Sequence, residues 1–175
     1  MPAISWSQFD ALPDVLGNDR FQLLIAPTNN TSLAETLAIR LQQVAVPEES
    51  FEPMMVGIQG FEYSFRGRRV YDRAINGTFV ETIDGAVSTG IANWMQDVGG
   101  GESGNSITGG KPSYSTQGTL YVYDQSGNTA LTYDIDNCWP SQAPTVQLDG
   151  TQTTHYAKQI QFTYDRFTLS TAQQQ

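Results

Sequence analysis

Alternation constrains this chain more than any other feature. Apolar residues recur at every second position in several short stretches: Phe21, Leu23 and Ile25; Leu37, Ile39 and Leu41; Phe61, Tyr63 and Phe65; Ile160, Phe162 and Tyr164. Successive side chains of an extended strand point to opposite faces, so this spacing predicts half-buried β-strands. Pro27 with Asn29-Asn30 ends the first stretch, Pro47 the second, and Gly67 offers a turn after the third. Another strand is expected from Arg73 to Ile83. Asn76-Gly77 inside it reads as a bulge, because its flanks are too short for the two strands of a hairpin. The clearest hairpin runs through Leu120 and Val122, turns at Ser126-Gly127-Asn128, and returns through Leu131, Tyr133 and Ile135. Asn137-Cys138-Trp139-Pro140 is expected to break the returning strand. Phe167 and Leu169 are expected to prolong the last one, and 170–175 to fray.

The period changes once. Val87, Ile91, Trp94 (or Met95) and Val98 recur at three- and four-residue steps, which predicts one amphipathic helix over about 84–98. Asp84 is its expected N-cap and Gly99 its stop. A short helical turn near Ser7 to Leu12 is a further expectation. Residues 99–113 hold six of the sixteen glycines. That stretch cannot bury a core and reads as a flexible Gly/Ser-rich loop inside one domain spanning 1–175. The fold expected is mainly β: a β-sandwich or partly closed barrel of about seven or eight strands with one flanking helix.

Charge narrows the function. Nine Lys and Arg stand against eighteen Asp and Glu, a net charge of −9. Binding to nucleic acid depends on cations that displace counterions from phosphates, so this surface should repel DNA and anionic membranes. No apolar run approaches the roughly 20 residues of a membrane-spanning helix. The first residues lack the basic start and apolar segment of a secretory signal, and the single Cys138 cannot form an internal disulfide, so synthesis and folding in a reducing cytoplasm are expected.

Catalytic chemistry finds little support. His155 is the only histidine, and no GxSxG elbow accompanies it. Asp134 and Asp136 share a strand face and read as the polar side of a hairpin, while Glu48-Glu49 fall in a turn; neither pair suggests a glycosidase. Gly109-Gly110-Lys111 is followed by Pro112 rather than by the Ser/Thr and helix of a phosphate loop. No cofactor, metal or enzymatic activity is expected.

Assembly is the better reading. Two lysines against seven arginines, with many tyrosines and strand faces of Gln, Thr and Ser, match the composition of interfaces. Sheet edges without guarding lysines invite another chain to pair. Arg66, Arg68 and Arg69 with Tyr71 are candidate interface residues, expected to meet carboxylates of another subunit. Gly99, Glu102 and Lys111 of the glycine-rich loop are candidates for ordering against a neighbour.

The order of elements resembles the tail tube proteins of contractile-tailed bacteriophages. The resemblance rests on the strand ending TFVETID, the helix around Ile91 and Trp94, the loop, the hairpin GTLYVYDQSGNTALTYDIDNCWP and the closing strand KQIQFTYDRF, from about Leu37 to Leu169. It implies a subunit of six-membered rings stacked into a hollow tube, one sheet of each copy joining a continuous channel wall. It implies a tape-measure protein held inside, DNA passing without specific binding, and contacts with tail sheath, baseplate and terminator proteins in a virion assembled in the host cytoplasm. Six copies at −9 give −54 per ring, so an acidic bore is expected, with Glu62, Ser64, Thr78 and Thr82 as candidate lumen residues. Trp94 and Trp139 are expected to pack helix and turn onto the sheet. The tubes of type VI secretion and extracellular contractile injection systems remain an alternative, and a monomeric carbohydrate-binding β-sandwich another.

Overall fold

The computed structural model describes residues 16–27, 30–99, 110–143, 146, 151 and 155–171. In chain order the elements are β1 (Phe21–Leu24), α1 (Ser32–Arg40), β2 (Leu41–Val44), β3 (Glu49–Phe51), β4 (Met54–Ile58), β5 (Phe61–Phe65), β6 (Arg69–Tyr71), β7 (Ala74–Val80), α2 (Ala86–Gly99), β8 (Thr116–Tyr123), β9 (Thr129–Gln142), β10 (Ala157–Thr163) and β11 (Arg166–Thr171). Seven strands form one antiparallel sheet in the order β1-β8-β9-β10-β7-β2, with β11 also on β9. β3 pairs with β6 and β4 with β5 as separate two-stranded ribbons. The sheet does not close: β1 and β2 end this path, and β11, paired only with β9 among the described residues, is a further edge.

The long strand β9 explains the architecture. Its first part lies between β8 and β11, and its last residues, Trp139 to Gln142, pair instead with β10. Between these parts Asn137 adopts φ 55°, and three steps of β9 (Ile135 to Cys138) match two of β8 (Gly118 to Thr116). Such a bulge bends a strand without ending it. Asn137-Cys138-Trp139-Pro140 is therefore a corner where the chain passes from one part of the sheet to the other, not the strand break expected from its composition.

The core lies within this bend. Leu23, Leu120 and Ile135 meet Ile75, Phe79, Ile160 and Phe162, with Leu33 and Leu37 of α1 and Val87, Ile91 and Trp94 of α2 covering the rest. The helix read from Val87, Ile91 and Trp94 is present, two residues later than expected at its start. Trp94 packs on Phe162 with centroids 6.1 Å apart and donates its indole N–H to the Tyr114 carbonyl at 3.0 Å. Trp139 meets Tyr114 edge to face.

Several sequence expectations are corrected. Residues 32–40 are a second helix, not a strand. Leu33 and Leu37, four apart, are buried, whereas Ile39 is 84% exposed. The alternation through Leu37, Ile39 and Leu41 straddles a helix end and the first residue of β2. Phe167 and Leu169 belong to a separate strand, β11, which turns back at Asp165 to pair with β9; Ser170 and Thr171 pair with Thr132 and Leu131. β7 is a single strand, as argued, but it pairs with β10 without interruption through Asn76-Gly77. The irregularity lies opposite, between Leu41 and Gln43 of β2. A glycine is required at position 77, because a Cβ there would sit 2.8 Å from the Phe79 ring. The suggested turn at Ser7 to Leu12, most of the loop 99–113 and the tail beyond Thr171 lie outside the described residues.

Candidate assembly surfaces

Surface chemistry falls into three regions. The first is the outward face of β2, β7 and β10. Burial alternates along β7 and β10, with Ile75, Gly77, Phe79, Ile160 and Phe162 inward. The register then sets Asn76 beside Gln161, and Thr78 between Gln159 and Gln43. Gln142 of β9 continues the row past Gln161. The result is a band of amides and hydroxyls with no charged side chain. It ends at β2, Leu-Gln-Gln-Val, which pairs only with β7.

The second region is the hairpin β4–β5. Gln59 (φ 51°) and Gly60 (φ 84°) form a two-residue turn with positive φ at both positions, the type I′ geometry that suits strand twist. Its register places Met54, Val56, Ile58, Phe61, Tyr63 and Phe65 on one face, and Met55, Gly57, Glu62 and Ser64 on the other. All but Val56 are exposed.

The third is a cleft of about 460 Å³ between the sheet's ends, lined among others by Leu16, Phe21, Val44, Val46, Val122 and Leu131.

Of the candidate lumen residues, only Thr78 lies on the large uncharged face. Glu62 and Ser64 sit on the polar side of the β4–β5 hairpin, and Thr82 lies in the β7–α2 connection, its hydroxyl donating to Asp84. That connection carries a charge network. Glu81 accepts the backbone N–H groups of Val87 (3.2 Å) and Ser88 (2.7 Å), so it caps α2 more fully than the expected Asp84, which accepts only that of Ala86. Arg40 at the end of α1 forks onto Asp84 (2.8 and 3.2 Å) and stands 3.6 Å from Glu81. Hydrogen bonds from Arg40 and Thr82 hold the Asp84 carboxyl well below the usual carboxylate range. Burial pushes Glu81 upward, but the Ser88 and Val87 donors outweigh it and leave it lowered.

Two of the three candidate interface arginines meet carboxylates of their own chain, and Arg66 has no ion-pair partner among the described residues. Arg68 pairs with Glu52 at 3.2 Å and Arg69 with Glu49 at 3.5 Å. Arg69 also lies 5.3 Å over the Phe51 ring and donates to Tyr71. Gly99 ends α2, Glu102 falls outside the described residues, and Lys111 pairs with Asp165, tying the end of the glycine-rich loop to the β10–β11 turn. Asp136 binds Arg166, and Asp134 faces Thr119, as a hairpin's polar side would. His155 meets Gln42 at 3.2 Å. Cys138 is buried, which pushes its thiol far up. No cluster of metal-binding side chains occurs among the described residues, and no described helix is long and apolar enough to cross a membrane.

The family model of the T4-like virus tail tube protein gp19 matches residues 20–168. The chain belongs to that family. Solved structures with the tail tube fold cover nearly all of it. A chain of the extended PVC sheath–tube complex, from an extracellular contractile injection system, is 13% identical, with 97% of this chain and 100% of that one covered and a TM-score of 0.68. The tube-terminating cap of the anti-feeding prophage is 13% identical, with 93% and 95% covered and a TM-score of 0.67. A chain of that prophage's baseplate is 8% identical, with 94% and 99% covered, again at 0.67. Comparison with curated protein sequences finds no match. Membership makes this chain a tail tube protein of contractile injection systems, mainly β as expected, and a structural component by family.

Sequence reading missed the β4–β5 hairpin as a unit. Its signal was present: Met54, Val56 and Ile58 alternate up to Gln59-Gly60, and Phe61, Tyr63 and Phe65 alternate after it.

Proposed function

We propose that this chain polymerises as stacked six-membered rings into the hollow tube of a phage tail, with no catalytic role, and that its amide-and-hydroxyl face lines the bore. The observation that carries the reading is that face itself, running uncharged to an edge strand with neither lysine nor proline to guard it. A monomer with such an edge risks pairing with other chains, whereas a ring uses the edge to continue the wall into its neighbour. Gln43, Asn76, Thr78, Gln142, Gln159 and Gln161 then form the wall.

This wall differs from the acidic one expected from composition. Amides offer phosphates no counterion-release gain, so DNA slides past them without adhering. The net negative charge keeps rings and DNA apart elsewhere on the surface. The tube holds a tape-measure protein before ejection and meets sheath, baseplate and terminator proteins, in a virion tail assembled in the host cytoplasm. A wall without charge is equally indifferent to polypeptide cargo, which favours the tube of an extracellular injection system as the second reading.

Negative-stain microscopy of the purified protein tests the proposal. Hollow tubes or rings are expected. A monomer that persists at high concentration refutes it, and sugar affinity in that monomer would point to the carbohydrate-binding alternative.

A further inference from the structure

Asp84-Gly85, in the connection from β7 to α2, carries a chemistry that assembly does not use. An aspartate followed by glycine is a place where a polypeptide backbone readily rearranges, because glycine has no side chain to block its amide nitrogen from the aspartyl Cγ. An N–Cγ bond forms, the Cγ–OH bond breaks, and the hydroxyl leaves with the amide proton as water, closing a five-membered succinimide. Water then reopens the ring. Attack at the former backbone carbonyl leaves an isoaspartate, with the chain routed through the side chain and one extra methylene in the backbone. No oxidant or further reactant takes part. The carboxylic acid loses its hydroxyl far more readily than the carboxylate does. The turn itself keeps the labile pair in place, since Gly85 adopts φ 63°, a conformation that disfavours any side chain.

Both reacting groups are held. The Gly85 N–H donates to the Thr82 carbonyl at 2.9 Å. Oδ1 of Asp84 accepts the Thr82 hydroxyl, the Ala86 N–H at 3.3 Å and one Arg40 nitrogen at 3.2 Å, while Oδ2 accepts the other at 2.8 Å. An exposed ion pair contributes little when two mobile side chains meet, but a forked arginine on a carboxylate is the stronger case. Arg40 is steadied besides: its side chain is 18% exposed and stands 3.6 Å from Glu81. The shallow recess between α1 and α2, lined by Asn30, Ser32, Thr36, Thr89 and Asn93, brings no other charge to Asp84. The Asp84 side chain itself is 56% exposed, so water reaches it freely.

We propose that Asp84-Gly85 is a latent site of backbone isomerisation, and that Arg40 with Thr82 forms the clamp that keeps it closed by pinning the carboxylate in its ionised form. Isomerisation would withdraw the carboxylate from Arg40 and Ala86 and lengthen the backbone two residues ahead of α2, the helix that covers the core. An assembled structural subunit is not renewed, so slow damage of this kind accumulates over the life of the particle. The inference concerns the folded subunit and stands whether or not it forms tubes.

The test follows isoaspartate in wild type and Arg40→Gln during long incubation at pH 5.5, located by mass spectrometric sequencing of the peptide that contains residue 84. Circular dichroism first establishes that the variant is folded; should it not be, Thr82→Val, a change at an exposed position, takes its place. Asp149-Gly150 is the same dipeptide elsewhere in the chain and serves as the internal reference. A carboxyl whose pKa is one unit lower holds about a tenth as much acid form at the same pH, so loss of the clamp should raise isoaspartate at position 84 about tenfold or more, with position 149 unchanged. The pH profile should move with it. On acidification the variant's rate should begin to climb at a higher pH than that of wild type, which a purely structural role for Arg40 would not produce. Equal rates at position 84 would overturn the proposal, as would an unmoved pH profile. A parallel rise at 84 and 149 would report general loosening of the chain and would overturn it too.

Discussion

Glu81 joins the sheet to the helix that covers it, and replacing it tests the energetics of that junction. Its carboxylate accepts two N–H groups of the first turn of α2, at 3.2 and 2.7 Å, and its side chain is only 9% exposed. Glu81→Ala leaves both donors without their acceptor. A hydrogen bond to a charged group contributes about 1.5–3 kcal/mol, and water can reach the vacated site to recover part of two such bonds, so a loss of about 2–3 kcal/mol is expected. Glu81→Gln keeps one acceptor oxygen and removes the charge at the positive end of the helix, for a loss of about 1 kcal/mol. Urea unfolding of a form held monomeric reads both values. With a slope of about 2 kcal/mol per molar, the alanine variant's midpoint should fall by about 1 M. The pH dependence carries a sign. The folded carboxyl titrates below its unfolded value of about 4.3, so its contribution is fully present above that pH and is lost as pH falls through the folded value. The gap between wild type and Glu81→Gln should therefore shrink on acidification below about pH 4. Asp84 titrates in the same direction but is present in both proteins. Equal stability at pH 7, or a gap that widens in acid, would refute the capping argument.

Gly77→Ala should destabilise by about 1–3 kcal/mol in thermal melts, because the added methyl meets the buried Phe79 ring and neither can withdraw from the core; an unchanged melting temperature would show that the ring yields. Cys138 should resist thiol reagents in the native protein and react at once in urea, and fast native labelling would contradict its burial. Changing Gln159 and Gln161 to lysine should leave the fold intact by circular dichroism yet make assembled tubes retain DNA in a salt-dependent way. Tubes indifferent to that change would place the amide face away from the bore.

Much of this architecture was legible in the residues. The β8–β9 hairpin announces itself through two alternating runs about Ser126-Gly127-Asn128, and α2 through Val87, Ile91 and Trp94. What escaped did so for identifiable reasons. Leu37, Ile39 and Leu41 mimic a strand because a helix happens to end one residue before an extended segment begins, with Leu41 at φ −68° and ψ 120°. Proline after Asn-Cys-Trp reads as a stop, yet a left-handed Asn137 lets β9 bend and continue. Of four candidate wall positions, Thr78 alone falls on the uncharged face. The choice between faces depends on which strands become neighbours, and local alternation carries no information about that. Surface chemistry was read more securely than surface location: the neutral Gln and Thr faces were evident from the sequence, whereas their alignment across β2, β7, β10 and β9 required the register.

The fourteen-residue β9 has a mechanical consequence. One end of it is gripped by β8 and β11, the other by β10, and no joint intervenes except the bend at Asn137. A thrust delivered to either flank must travel along this continuous backbone rather than across a soft hinge. Shearing the flanks apart would require breaking several rows of amide–carbonyl bonds at once. A subunit built around such a spine should transmit axial load stiffly and give way, when overloaded, as a single piece.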